Sequence, residues 1–208
     1  MVRDGYKFAA PPFLAGLVAL GFGFKWAASW WTGIALLLVA AFVAYFFRDP
    51  ERVIPADSAA IVSPADGRVM EVVEESFGGR PGQRISIFLA IWNVHVNRSP
   101  MAGRIEQIDY RPGRFYAAMR SRASEENEQN VIRLSTARGD MVFKQIAGWV
   151  ARRVVCWKRP GDHVATGERI GLIRFGSRMD VWLPEGVEIL VEPGKHVAGG
   201  SSILARWK

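Results

Sequence analysis

The stretch Arg169-Ile170-Gly171-Leu172-Ile173-Arg174-Phe175-Gly176-Ser177-Arg178-Met179-Asp180-Val181-Trp182-Leu183 holds two strand-like apolar runs separated by a Gly-Ser pair. Glycine inside a β pattern ordinarily marks a bulge or a tight bend. The same pair also has a chemical reading, a strained Gly176–Ser177 bond whose serine hydroxyl attacks the preceding carbonyl. The pair alone leaves both open.

Outward from this stretch the pattern stays β. Runs at residues 61–62, 68–73, 84–92, 103–110, 130–136, 141–146 and 148–157 read as strands, broken by turn sequences such as Ser63-Pro64-Ala65-Asp66-Gly67, Arg111-Pro112-Gly113 and Arg159-Pro160-Gly161-Asp162. Residues 130–136 and 141–146 form a hairpin pair around Ala137-Arg138-Gly139-Asp140, and residues 115–130 are a polar loop or short helix. Short strands at near-regular spacing predict a mainly β barrel or sandwich. Pro160-Gly161-Asp162-His163-Val164-Ala165-Thr166-Gly167 is echoed by Pro193-Gly194-Lys195-His196-Val197-Ala198-Gly199-Gly200. Each copy is a turn, a valine and a turn, the repeat of a lipoyl- or biotinyl-like hybrid barrel. His163 and His196 read as exposed turn residues.

The N-terminal part is different. Residues 8–47 carry a single charge, Lys25. It divides them into runs of about 25 and 33 Å as helices, against a bilayer core of roughly 30 Å. We expect residues 1–47 to be a transmembrane helical hairpin turning at residues 25–29, and residues 48–208 to be a β domain. Two apolar runs without a clean cleavage region argue against a signal peptide. Trp26, Trp30 and Trp31 at one end, and Tyr45, Phe46 and Phe47 at the other, suit the two membrane interfaces. Arg3, Lys7, Arg48 and Arg52 lie on the side of the termini, which the positive-inside rule assigns to the cytoplasm of a cell (inner) membrane.

The chain has 208 residues and a net charge of +7. The first 47 residues hold three of its 27 basic and one of its 20 acidic residues, leaving 24 against 19 in the β part, or +5. That balance favours an anionic partner. One cysteine, Cys156, excludes an intrachain disulfide, and three scattered histidines make a metal site unexpected. His95 follows a predicted buried strand, in Trp92-Asn93-Val94-His95-Val96-Asn97-Arg98-Ser99-Pro100, where it is placed either for acid–base work or to cap a loop. Asp66 is by itself a turn residue.

Taken in order, Ser63-Pro64-Ala65-Asp66-Gly67, Val94-His95-Val96-Asn97-Arg98-Ser99-Pro100 and Phe175-Gly176-Ser177-Arg178 resemble the phosphatidylserine decarboxylase proenzyme family in its short, membrane-anchored form. Ala123-Ser124-Glu125-Glu126-Asn127-Glu128-Gln129-Asn130 and Gln145-Ile146-Ala147-Gly148-Trp149-Val150-Ala151-Arg152-Arg153 extend the resemblance over nearly the whole chain. The resemblance implies self-cleavage between Gly176 and Ser177 into a beta chain, residues 1–176, and an alpha chain, residues 177–208, which remain together as a heterodimer. It implies a pyruvoyl group made from Ser177, whose carbonyl takes the amine of phosphatidylserine and draws off the electrons released with carbon dioxide. His95 oriented by Asp66 would be the base, as in a Ser-His-Asp arrangement. Long members carry two histidines three residues apart, the second assigned to self-cleavage; the matching positions here are His95 and Arg98. Arg98 and Arg178 are the residues expected to meet the substrate's anions. A catalytically inert lipoyl-like carrier or adaptor is the alternative, but such carriers present a lysine at a hairpin tip, and residues 175–182 contain none. A nucleic-acid partner is not expected, because most aromatics lie in apolar runs rather than among basic residues.

Overall fold

The computed structural model describes residues 1–23, 26–120, 122–149, 153–174 and 176–208. Residue 24, residue 25 of the expected hairpin turn, Phe175, and residues 150–152 of the family-like stretch lie outside the described residues. The chain divides into two units, Met1–Pro50 and Glu51–Lys208.

The first unit is a pair of helices, α1 (Arg3–Phe22) and α2 (Ala27–Phe46). Each has 20 residues, about 30 Å at 1.5 Å per residue, so α1 is longer than its uncharged run required. It starts at Arg3 and carries Pro11 and Pro12 inside it. Gly16 and Gly33 let the helices meet backbone to backbone: a Cβ at Gly33 would lie 2.9 Å from the Gly16 carbonyl oxygen. Small residues at such a crossing are the usual way for two apolar helices to pack. The Val2 amide bonds the Phe47 carbonyl, and Phe8 stacks on Phe47, closing the open end of the pair. Phe13, Leu14, Leu17, Val18, Leu38 and Phe42 are exposed. Both helices are long and apolar enough to cross a membrane.

The second unit is mainly β. In chain order its elements are β1 (Ala60–Val62), β2 (Gly67–Glu74), β3 (Gly82–Leu89), β4 (Val96–Arg98), β5 (Gly103–Arg111), α3 (Ala123–Glu126), β6 (Gln129–Thr136), β7 (Gly139–Ile146), β8 (Val154–Cys156), β9 (His163–Val164), β10 (Arg169–Ile173), β11 (Ser177–Pro184), β12 (Val187–Ile189), β13 (His196–Val197) and β14 (Ile203–Trp207). Eight strands form one sheet in the order β13-β2-β3-β11-β7-β6-β5-β9, with every neighbouring pair antiparallel. Two three-stranded sheets, β1-β14-β12 and β4-β10-β8, complete the unit.

The eight-stranded sheet curls, and the two echoed turns account for how its ends meet. β9 and β13, the short strands of the echo, are its two edges. The glycines that follow them come together, since a Cβ at Gly200 would lie 3.6 Å from the Gly167 Cα, and Ile54 fills the space beside both. Curling wraps one face round a common core of Ile85, Ile87, Ile105, Ile132, Phe143 and Val181, among others. His163 and His196 are exposed, as expected.

Two expected elements differ. Among its described residues, the run at 148–157 is a strand only over β8, because Ala147, Gly148 and Trp149 leave the ladder at the end of β7. The stretch at residues 175–182, compared above with a carrier's hairpin, is no hairpin over its described part: residues 177–182 run along the single strand β11. β10 pairs with β4 and β8, while β11 pairs with β3 and β7, so the chain changes sheets between Ile173 and Ser177.

Candidate active site

Ser177 opens β11 at the middle of the large sheet, opposite Leu89 of β3. Successive side chains on a strand point to opposite faces. Ser177, Met179, Val181 and Leu183 therefore face the core, and Arg178, Asp180 and Trp182 face away. Ser177 is fully buried, and its Oγ has no hydrogen-bond partner among the described residues. A buried hydroxyl without a partner costs about 1–3 kcal/mol, so it is uncommon unless it serves a reaction. Gly176 precedes it at φ +62°, a left-handed conformation that favours glycine.

His95 lies in the loop between β3 and β4. Its carbonyl accepts a bond from the Ile173 amide, continuing the β4–β10 pairing towards Gly176. The residue is 2% exposed. Its Nδ1 lies 2.9 Å from the carbonyl oxygen of Asn93. A carbonyl can only accept, so Nδ1 carries the hydrogen and Nε2 is the nitrogen able to take a proton. Asn93 is itself fixed, because its Oδ1 accepts the Ala90 amide at 2.8 Å.

Asp66 does not orient His95. Its carboxylate takes two bonds from Arg52 Nη2, at 2.9 and 2.8 Å, and one from the Gly199 amide at 2.7 Å. It joins the start of the unit to the second echoed turn. The orienting group expected at Asp66 is instead a neutral backbone carbonyl two residues before the histidine.

The two expected anion-binding arginines are also occupied elsewhere. Arg98 is buried, donates from Nη1 to the Gly167 carbonyl at 3.0 Å and packs its stem under Gly200. It braces the junction of the two echoed turns. Arg178 is turned to the face opposite Ser177, with bonds to Asp180 (2.6 Å), Ser86 (2.7 Å) and Glu71 (2.8 Å). Arg84 binds Glu71 and Glu75 in the same cluster, and Ser124 caps Asp180 at 2.6 Å. Burial pushes the Glu71 carboxyl upward, but Arg84 and Arg178 together outweigh it and hold the group below the ordinary carboxylate range. Lys144, across the ladder from Asp180, is pushed down by burial.

Three residues without a role in the sequence reading matter here. Asn97 Oδ1 accepts from Gln145 Nε2 at 2.8 Å, and Gln145 Oε1 accepts from Asn130 at 3.1 Å, so a buried amide chain ties β4 to β7 and β6. All three lie inside stretches that carried the resemblance. The only signal they gave was that polar residues stood among strand residues. Beside the Asn93 loop is a hollow of about 470 Å³ lined by Phe88, Trp92, Met119 and Asn93, with Arg68 and His196 also on its wall. Its lining offers apolar surface and basic groups together.

The β unit thus holds a buried serine whose oxygen has no partner among the described residues, in a chain with two membrane-length helices. The profile of one family, described as phosphatidylserine decarboxylase, matches residues 39–205. The phosphatidylserine decarboxylase proenzyme of Solibacter usitatus (strain Ellin6076) is 54% identical over 181 residues, covering 87% of this chain and 86% of that protein. The chain belongs to the phosphatidylserine decarboxylase family, and is a decarboxylase.

Proposed function

We propose that this chain decarboxylates phosphatidylserine to phosphatidylethanolamine, using a pyruvoyl group that it makes from Ser177 by cutting its own Gly176–Ser177 bond. The carrying observation is the buried Ser177 Oγ, without a partner among the described residues, next to a glycine at φ +62°. A serine anchored by hydrogen bonds would fit a structural role; this one fits a nucleophile. The residues present therefore suit the group that the family implies.

Ser177 Oγ attacks the Gly176 carbonyl carbon while Nε2 of His95 takes the hydroxyl proton. The Gly176–Ser177 carbon–nitrogen bond breaks, the nitrogen gains a proton, and an ester joins Gly176 to the serine oxygen. Loss of the residue-177 Cα proton then expels the Gly176 carboxylate and leaves dehydroalanine. Water releases ammonia from its imine form and leaves the pyruvoyl group. That group would supply an electron-accepting carbonyl for the electron pair freed as carbon dioxide departs. His95 Nε2 is also suited to deliver a proton to the carbon that lost carboxylate, so both steps are assigned to it.

The two products of cleavage would stay together. β11, in residues 177–208, lies between β3 and β7 of residues 1–176, and β13 and β14 pair with β2 and β1. The apolar helices support a bilayer partner, and the flanking Arg and Lys residues favour a β domain on the cytoplasmic side of the cell membrane.

Purified full-length protein should give two masses, residues 1–176 and residues 177–208, the second without a free amino terminus. It should release carbon dioxide from phosphatidylserine in detergent micelles, and protease added outside intact cells should spare the domain. Ser177→Ala should remain one inactive chain. An active preparation consisting of one intact chain overturns the reading.

A further inference from the structure

We infer that Gly148 is a positioning residue for chain cleavage, and that Asn127 and Glu128 hold it as a rigid seat for the scissile carbonyl. This rests on the self-cleavage reading above and assigns work to two stretches that it leaves unused.

A Cβ built at Gly148 would lie 1.6 Å from the Gly176 oxygen, 2.7 Å from the Gly176 carbonyl carbon and 3.5 Å from the Ser177 nitrogen. All three atoms belong to the peptide group to be cut. A carbon–carbon bond is about 1.5 Å, so the Gly148 Cα lies within roughly 3.1 Å of that oxygen. Gly148 is absent from the positive-φ glycines, so its backbone conformation does not call for glycine. Space does. The contact is a Cα–H against a carbonyl oxygen, weakly attractive and impossible for any larger residue.

Gly176 needs such a support. It is a conformationally permissive residue, and a Cβ built on it would meet nothing within 4 Å. It therefore has no side chain of its own whose packing would hold the peptide plane. Attack by Oγ requires that plane at a defined angle, and fixing it in advance removes an entropic cost from the step.

The seat is anchored at both ends by two consecutive residues. Glu128 accepts the Ala147 amide on its carbonyl at 2.9 Å and the Val154 amide on Oε1 at 3.2 Å. Asn127 Nδ2 donates to the Ala147 carbonyl at 2.8 Å and the Tyr116 carbonyl at 2.9 Å, while its Oδ1 accepts the Tyr116 amide at 2.9 Å. Both side chains are buried. The ladder continues the register, because Ile146 of β7 lies opposite Arg178 of β11, one residue from Ser177.

The test is the rate of chain cleavage after synthesis, followed on gels for full-length wild type and three variants. Gly148→Ala must move the carbonyl by more than an ångström and should slow cleavage by roughly 10²-fold or more. Gly103→Ala makes a comparable clash, 2.3 Å from the Ser135 carbonyl in the β5–β6 ladder, and should cleave at the wild-type rate. Asn127→Ser adds no bulk and should slow cleavage about tenfold by loosening the seat. Hydroxylamine, which splits esters, should release no fragments from uncut Gly148→Ala, because the block precedes the ester. Wild-type cleavage in Gly148→Ala, or a hydroxylamine-labile ester accumulating in it, overturns the inference. If circular dichroism shows Gly148→Ala unfolded, wild-type cleavage in Asn127→Ser overturns it instead. An uncut wild type would count against the self-cleavage reading itself.

Discussion

Ser177 and Arg178 are adjacent in sequence, equally buried, and opposite in every other respect. The serine oxygen faces an apolar core and has no hydrogen-bond partner among the described residues. The arginine faces the other side of the same strand and binds Asp180, Glu71 and Ser86. A buried polar group that is fully satisfied is an anchor, because removing it strands its partners. A buried polar group left unsatisfied is held at a cost by its surroundings, which is how a reactive group is kept poised. One step along β11 separates chemistry from scaffolding, and Arg178 stands close to Ser177 in the chain without facing the site.

The comparison breaks most visibly at His95. His95→Ala should slow cleavage by about 10²- to 10⁴-fold if Nε2 takes the Ser177 proton. Gels report cleavage and carbon dioxide release reports turnover, so the two can be separated. A variant that matures at the wild-type rate but releases no carbon dioxide would confine His95 to decarboxylation and leave the serine with another base.

On the anchored face the expected loss is stability. Arg178→Ala leaves Asp180 and Glu71 without their buried partner and should cost about 3–5 kcal/mol. Urea unfolding in a Ser177→Ala background keeps the chain in one piece for the measurement. An unchanged midpoint would mean that the cluster is not an anchor.

The smallest expected effect is a pH dependence. Glu71 is held below its ordinary pKa in the folded state. Its contribution to stability is therefore complete above the ordinary carboxylate range and is lost as pH falls through the lowered folded value. Glu71→Gln should lower the thermal midpoint near neutral pH and bring it closer to the parent below pH ~4. A constant gap between the two across that window would show that Glu71 acts through packing alone.

Much of this was legible in the chain. The buried run at residues 84–92, the alternation at 103–110 and the hairpin pair at 130–136 and 141–146 all depend on local sequence, and β3, β5, β6 and β7 lie there. The two helices follow from the long uncharged runs. The echo of residues 160–167 in residues 193–200 pointed to paired turns, though not to their meeting at Gly167 and Gly200. Side-chain partners were less legible. Asp66 and His95 suggested a charge-relay pair because an acid and a histidine share a family-like pattern, yet Arg52 takes the acid and the Asn93 carbonyl takes the ring. Arg98 and Arg178 suggested anion binding because they flank reactive residues, and neighbours along a strand face opposite ways.

By itself the sequence determined the membrane-length apolar pair, the β character of the part that follows it, and the order of the motif residues that shows the family. Each depends on local periodicity or on residue identity, which one dimension carries in full. Only the tertiary structure decided that the chain changes sheets between Ile173 and Ser177, that Ser177 Oγ has no partner among the described residues, and that Gly148 abuts the Gly176 carbonyl. Those facts depend on which strands become neighbours. Neighbours are chosen by the curl of a sheet around its core, over separations that no local pattern records.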